Sequence, residues 1–407
     1  TKIRGYSFRH PPTARLPRGV PSWKKCLNHH GRLGVVLPLP FRNGIIYMEF
    51  FNATVTEIHR ETAEASRICF DVERTYGKKP IFKPGQHITL RVVLDGVERR
   101  RSYSLCSLPG EEKACIAVKA VPNGLVSNWL HRAIRPGSTF ECSLPEGHFA
   151  LVPEPERRHH HYFIAAGSGI TPVLPMISSV LESEPRSTVY LLYGNRNEES
   201  ILFYERLRNL EVRYAGQFYA EYTLSRAPKS LLPFLRSARS KWHGWTGRIG
   251  STMLDAFLHK YPPSAKTSSF YLCGPGQMIE DMKAGLVSRG FEAGTIHAEY
   301  FSAPPKPDTP LACPALEHVH VTAHLGDKKH EVDLAGGQKI LDGLLAAGID
   351  APYSCCSGAC STCMARLISG QVHMDTALAL EQEDLDAGYI LTCQSRPLTP
   401  QIEIVFP

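Results

Sequence analysis

The 407-residue chain contains no run of 18 or more apolar residues, so it has no segment of the length a membrane-spanning helix needs. Gly34 to Phe41 is the most apolar patch near the start and is far too short to cross a bilayer. No continuous apolar h-region of a secretory signal is visible behind Thr1. Internal repeats are absent, which sets solenoids and propellers aside. Acidic residues are missing from Thr1 to Gly44, which carry 9 basic ones. That basic charge is tied to no recognisable nucleic-acid-binding motif, so no nucleic-acid partner is expected. With 12 cysteines in so long a chain, a reducing compartment fits better than a disulfide scaffold, and a cytoplasmic location is expected.

What the chain does have is concentrated near its end. Cys355, Cys360 and Cys363 stand in the spacing C-x4-C-x2-C, and Cys393 follows at a distance. This is the spacing of a plant-type 2Fe–2S centre, which needs four thiolates converging from one tight loop and one remote strand. Gly358 and Ala359 keep that loop small, so backbone N–H groups can point at sulfur. A zinc site usually draws on two short-spaced pairs, and Cys393 has no near partner. A disulfide pair would not need so many cysteines in one loop. Cys356 falls inside the x4 gap and is read as a non-ligand.

Length suggests two or three domains. Residues 1–44 read as a basic, Pro- and Gly-rich arm. From 45 to 152, short alternating apolar stretches separated by turns predict an antiparallel β-barrel. Within it runs Arg99-Arg100-Arg101-Ser102-Tyr103-Ser104-Leu105. An arginine can hold a phosphate, a tyrosine offers a flat ring, and a serine can hydrogen-bond a ring nitrogen. A solvated, Arg-rich edge strand is the plain alternative. The later segment Val118-Lys119 to Gly124 and Ser127 ends at a helix start, where free N–H groups can hold a phosphate.

Residues 153–301 change texture to alternating strands and helices, an α/β unit with a parallel sheet. Tyr162 to Ala166 is a buried-strand run, followed by Gly167-Ser168-Gly169-Ile170-Thr171-Pro172 and an apolar helix. Strand, glycine turn and helix form the unit that seats a pyrophosphate, although the full six-position fingerprint is not present. Cys273-Gly274-Pro275 ends a later strand, at the edge where such sheets bind ligands. The cysteine there is either a small buried hydrophobe or a group facing a nicotinamide. His159 to His161 read as an exposed loop tract without metal. Residues 302–314 form a proline-rich linker, and 315–407 form a small α+β module. That module is acidic: Ala312 to Pro407 hold 5 Lys/Arg against 12 Asp/Glu, a net −7 on a chain of net +7. An acidic module on a basic body favours electrostatic docking of the two, or of a partner.

Taken in order, these motifs resemble the ferredoxin–NADP reductase superfamily, in the branch with a C-terminal plant-type β-grasp ferredoxin domain. Within it the chain is similar to the reductase components of oxygenases, such as those serving phenylacetyl-CoA epoxidase. The resemblance covers about 45 to 407 and leaves the first arm unexplained. It implies FAD at Arg101, Ser102, Tyr103 and Ser104, with Arg101 on the pyrophosphate, Tyr103 against the isoalloxazine and Ser104 near N5. Val118, Lys119, Gly124 and Ser127 then form the second phosphate-binding element. Gly167, Gly169, Thr171 and Pro172 match the nicotinamide-nucleotide loop. Cys273, Gly274 and Pro275 lie beside the nicotinamide, and Glu299-Tyr300-Phe301 close over the flavin. Ser104, Cys273, Glu299 and Phe301 are therefore the implied catalytic set. Cys355, Cys360, Cys363 and Cys393 are the implied cluster ligands. Arg196 and Arg226 can offer guanidinium groups to a 2′-phosphate, and Ser225-Arg226 match the Ser-Arg pair of NADP-preferring members of the family, which leans the donor from NADH to NADPH.

A nicotinamide gives two electrons as hydride, and a 2Fe–2S centre accepts one, so a flavin must sit between them. The expected activity is electron transfer from NAD(P)H through FAD and the cluster to a terminal oxygenase or hydroxylase. Two alternatives remain: a reductase for a membrane fatty-acid desaturase, with the arm giving peripheral membrane association, or a stand-alone redox carrier or sensor.

Overall fold

The computed structural model describes residues 48–77, 82–227, 242–264, 267–302, 304, 316–380 and 382–407. The basic arm and most of the proline-rich linker lie outside the described residues.

The first unit contains β1 (Phe50–Thr62), β2 (Ala65–Asp71), α1 (Val72–Tyr76), β3 (His87–Leu94), β4 (Val97–Ser104), β5 (Lys113–Lys119), α2 (Leu125–Arg132) and β6 (Thr139–Ser143). Its strands run in the order β4-β3-β6-β1-β2-β5, all pairs antiparallel. A bridge between Leu105 and Ile116 joins the two edges, so the sheet curls toward closure. Alternation is visible in β1, where Ala53 and Val55 are buried and Thr54 and Thr56 are not. The inward residues, including Ile68, Phe70, Ile88, Leu90 and Phe140, form the barrel core.

The second unit contains β7 (His160–Ala166), α3 (Ile170–Ser183), β8 (Thr188–Asn195), α4 (Tyr204–Arg213), β9 (Phe218–Leu224), β10 (Trp245–Thr246), α5 (Ser251–Lys260), β11 (Ser268–Gly274), α6 (Gly276–Ser288) and β12 (Ile296–Tyr300). The sheet is parallel throughout, in the order β10-β9-β8-β7-β11-β12. Helices cover both faces of such a sheet, which is why Tyr162, Phe163, Ile164 and Ala165 are consecutive and all fully buried.

The His159–His161 tract is not an exposed loop. His160 opens β7, and His161 is fully buried, with Nε2 2.9 Å from Glu184 Oε2. Ser187 Oγ and the Glu154 N–H also donate to the Glu184 carboxylate, at 2.6 and 2.8 Å. A histidine can enter a core strand because a buried carboxylate waits for it.

The barrel and the α/β unit share one apolar core. Cys69, Cys106, Cys115 and Phe149 from the barrel side pack with Phe163, Val173, Met176 and Tyr271. Within it Cys69 and Cys115 are register partners across β2 and β5 and form a disulfide, against the expectation of reduced cysteines. Their alignment is a product of strand register, which brings residues 46 positions apart face to face.

The third unit contains β13 (His318–Leu325), β14 (Lys328–Ala335), α7 (Ile340–Ala346), β15 (Met364–Ser369), β16 (Val372–Met374), α8 (Gln382–Asp386), β17 (Tyr389–Leu391), β18 (Ser395–Pro397) and β19 (Gln401–Val405). The mixed sheet β14-β13-β19-β15-β17 packs its inner face on α7 through Val319, Val321, Leu341, Leu344 and Ile404. Among the described residues, this core contains none from the other two units.

Candidate functional site

The three units meet at a cavity of about 220 Å³ lined by residues of all of them. Arg101, Ser102 and Ser104 come from β4 and His87 from the start of β3. Glu299, Tyr300 and Phe301 come from β12 and the residue after it; Cys355, Ser357, Ala359 and Cys360 come from the third unit. Tyr103 packs against the barrel core and does not line this cavity.

Ser104 is buried, and its Oγ donates to Glu299 Oε2 at 3.1 Å. The same carboxylate oxygen lies 3.9 Å from Cys273 Sγ. Cys273 and Glu299 are register partners in the parallel pair β11–β12. Burial, followed by the Glu299 carboxylate, pushes the Cys273 thiol well above its ordinary value, so it stays protonated. The result is a neutral thiol, a hydroxyl and a carboxylate converging from two domains.

His87 was not among the residues expected here. Its Nδ1 is 3.7 Å from Glu299 Oε1 and its Nε2 3.8 Å from Glu146 Oε1. Burial alone would lower its pKa, but the Glu299 and Glu146 carboxylates override burial and raise it. Glu146 also accepts from Thr89 Oγ1 at 3.0 Å. The only local signal was three polar residues, His87, Thr89 and Arg91, on one face of a strand whose other residues are apolar.

The nucleotide-type loop has the geometry its residues suggest. Gly167 to Gly169 form one short turn between β7 and α3. A Cβ on Gly169 would stand 2.1 Å from the Cys273 carbonyl oxygen, so only glycine lets the loop lie against the end of β11. Thr171 Oγ1 donates to the Ser168 carbonyl at 2.9 Å, and Thr171 and Pro172 are buried in the first turn of α3. Gly274 has φ of 156°, and Pro275 caps α6. Ser225 and Arg226 follow β9, and their N–H groups donate to the carbonyls of Asn195 and Arg196 at 2.9 and 2.8 Å. Arg196 and Arg226 are therefore neighbours at the carboxyl edge of the sheet. Lys119 shares Glu64 with Arg196, at 3.8 and 4.0 Å. Val118 lies in the barrel core, so only its backbone can face a ligand. Gly124 caps α2 against Ser127, where a Cβ would fall 2.5 Å from Ser127 Oγ.

The cysteine loop suits a cluster. The Cys360 thiol and the N–H groups of Ser357 (3.4 Å) and Cys360 (3.3 Å) donate to Cys355 Sγ. Against opposing burial, these hold the Cys355 thiol well below its ordinary value, toward the thiolate a metal needs. Cys363 and Cys393 form the second close pair, and Gln394 Nε2 lies 3.5 Å from Cys393 Sγ. Left-handed backbone at Cys356 (φ 53°) and Gly358 (φ 74°) bends the loop, and Cys356 is exposed. Gly358 has Thr376 and Gln394 where a Cβ would go.

A barrel carrying an Arg-x-Tyr-Ser strand, a parallel sheet with a glycine turn and a four-cysteine module, all meeting at one cavity, define a class: the NAD(P)H-dependent flavin and iron–sulfur oxidoreductases. The Oxidoreductase FAD-binding domain model matches residues 52–151, and the Oxidoreductase NAD-binding domain model matches 163–284. The 2Fe-2S iron-sulfur cluster binding domain model matches 323–398. The chain is 35% identical over 362 residues to a component of the 1,2-phenylacetyl-CoA epoxidase of Escherichia coli (strain K12), covering 88% of this chain and 98% of that protein. It is 32% identical over 363 residues to the ferredoxin reductase component of 3-ketosteroid-9-alpha-monooxygenase of Rhodococcus rhodochrous, covering 87% and 96%. The fold is similar to that of phthalate dioxygenase reductase, with a TM-score of 0.53, 23% identity and coverage of 88% and 98%. The chain belongs to the family of reductase components that join FAD-binding, NAD-binding and 2Fe-2S domains in one polypeptide. No helix among the described residues is long and apolar enough to cross a membrane.

Proposed function

We propose that this chain draws hydride from NAD(P)H at the cavity edge formed by Ser104, Cys273 and Glu299, and passes single electrons through Cys355, Cys360, Cys363 and Cys393 to a partner oxygenase in the cytoplasm. FAD and the cluster, when bound, supply the conversion from two-electron to one-electron chemistry. The chain's own residues supply position and protonation. Gly167, Gly169 and the start of α3 offer backbone N–H groups to the nucleotide's phosphates. Cys273, held neutral, gives the nicotinamide ring an apolar neighbour without a charge that would trap the oxidised form. Ser104 keeps its hydroxyl directed by Glu299. Arg101 by its guanidinium, and Gly124 and Ser127 at the start of α2, are assigned the flavin's phosphates. Arg196 and Arg226 favour NADPH, because a guanidinium pair suits a 2′-phosphate.

The observation that carries this reading is the shared cavity, in which Ser104 and Glu299 lie on the same wall system as Cys355 and Cys360. Anaerobic titration of the purified protein with NADPH or NADH is expected to bleach flavin and cluster absorbance together. A cluster that stays oxidised beside reduced flavin would overturn it. Co-purification from the native source is expected to recover an oxygenase; an oxygenase that this protein does not reduce would remove the partner assignment.

A further inference from the structure

Arg100 is the one member of the Arg99–Arg101 run whose side chain is buried at 3% exposure. It lies on β4, an edge strand of the barrel, yet its guanidinium is directed to the third unit. Nε donates to Glu98 Oε1 at 2.7 Å, and an Nη donates to Asp350 Oδ1 at 2.6 Å. The group also lies over the rings of Tyr353 and Phe50, at 4.6 and 5.2 Å. Two positions along β4, Ser102 Oγ and Ser354 Oγ are 2.6 Å apart. Asp350, Tyr353 and Ser354 run directly into Cys355, so the residues that grip the barrel are those that aim the cysteine loop.

How the third unit is held differs from how the other two are held. The barrel and the α/β unit share an apolar core. Among the described residues, the third unit's core contains none from either, and only Ala359 and Leu378 pack on an apolar cluster of the α/β unit. Its seat on the barrel is made of polar contacts, among which Arg100–Asp350 pairs a buried cation with a carboxylate. Asp350 is 50% exposed, so the desolvation cost falls on Arg100, where it offsets part of the attraction and leaves geometric definition as the pair's main contribution. A guanidinium held by two carboxylates and two rings has little freedom to turn.

We propose that Asp350 is a positioning residue: its bond to Arg100 sets the 355–363 loop against the flavin-side cavity and thereby sets the rate at which one electron crosses from the flavin to the cluster. No bond is made or broken in that crossing; the electron comes from NAD(P)H through the flavin. This rests on the functional reading above. It makes the third unit's orientation, not its folding, depend on the ion pair at the centre of these contacts.

The test uses the full-length holoprotein with Asp350→Ala, Asp350→Asn and Asp350→Glu, followed by stopped-flow absorbance after mixing with NADPH under anaerobic conditions. Flavin bleaching is expected to keep its rate in all three. Cluster bleaching is expected to slow about tenfold or more in the Ala and Asn forms, since small misplacements of reacting groups cost rate steeply. It is expected to recover in the Glu form, which restores the carboxylate. Hydrogen exchange gives an independent readout: amides of 97–104 and 350–357 are expected to exchange faster in the Ala and Asn forms, with the third unit's core amides unchanged. Wild-type cluster bleaching together with wild-type exchange in Asp350→Asn would overturn the proposal. Absence of flavin-to-cluster transfer in the wild-type protein would instead defeat the underlying functional reading, and the exchange comparison would still decide whether Asp350 seats the module.

Discussion

Ser104 and Glu299 lie 195 positions apart in the chain, in different domains, and are joined by a 3.1 Å hydrogen bond that Ser104 Oγ donates to Glu299 Oε2. The bond joins the end of β4 to β12 across the junction where the barrel and the α/β unit share a core. Neither side chain alone distinguishes this site from an ordinary strand end. Together, with Cys273 3.9 Å from the same oxygen, they make a directed hydroxyl beside a neutral thiol.

Replacing Ser104 with Ala, or Glu299 with Gln, is expected to slow flavin reduction by NAD(P)H by roughly 10²-fold, the usual loss when a positioned proton-carrying group is removed. The cluster's visible spectrum should be retained, because neither residue belongs to the cysteine loop. Stopped-flow bleaching of flavin measures the effect, and an unchanged rate in both variants would remove the pair from the site.

Replacing Cys355, Cys363 or Cys393 with Ser is expected to abolish the cluster's absorbance and bound iron. Flavin reduction by NAD(P)H should persist with a small artificial acceptor. Replacing Cys356 with Ser should leave iron content unchanged, since that thiol is exposed and outside the two close pairs. Iron and sulfide analysis beside a reductase assay separates the two outcomes.

Glu184 provides a pH-dependent contribution to stability. Burial would raise its carboxyl pKa, but the bonds from His161, Ser187 and the Glu154 N–H lower it below the ordinary value of 4.5. A carboxyl depressed in the folded state contributes stability that is fully present above the ordinary value and is lost as pH falls through the folded one. Thermal denaturation should therefore show Tm falling with acid below about pH 4.5, and more shallowly in Glu184→Gln. At neutral pH, Glu184→Ala is expected to cost about 3 kcal/mol, because it strands a buried histidine. A Tm within a degree or so of wild type would contradict the pairing.

Replacing Arg226 with Ala is expected to raise KM for NADPH about tenfold, the worth of one charge-assisted contact to phosphate, and to leave NADH kinetics alone. Steady-state assays with both nucleotides measure it. Equal losses for the two would show that Arg226 serves the shared part of the nucleotide, or the fold.

Much of the architecture was legible along the chain. The run Tyr162 to Ala166, its glycine turn and the helix that follows are neighbours in sequence, and local periodicity carries them. The C-x4-C-x2-C spacing is local too, so three of the four expected cluster ligands identify one another within nine residues. Strands β9 and β10 were not read from the sequence, since Phe218–Leu224 mixes polar and apolar residues without regular burial and β10 is two residues long. His161 looked like part of a polar tract because its carboxylate partner lies 23 positions away on the far end of α3.

The order of residues by itself determined most of the segments that form strand, turn and helix, and which short motifs carry redox chemistry, because hydrophobic period and cysteine spacing are properties of contiguous chain. Only the tertiary structure decided that His87 stands between Glu146 and Glu299, that Cys69 meets Cys115, and that Arg100 holds Asp350 beside the cluster loop. Each of those depends on strand register and on how separately folded units pack. Register and packing are set by burial summed over whole faces, a quantity that no single stretch of residues contains.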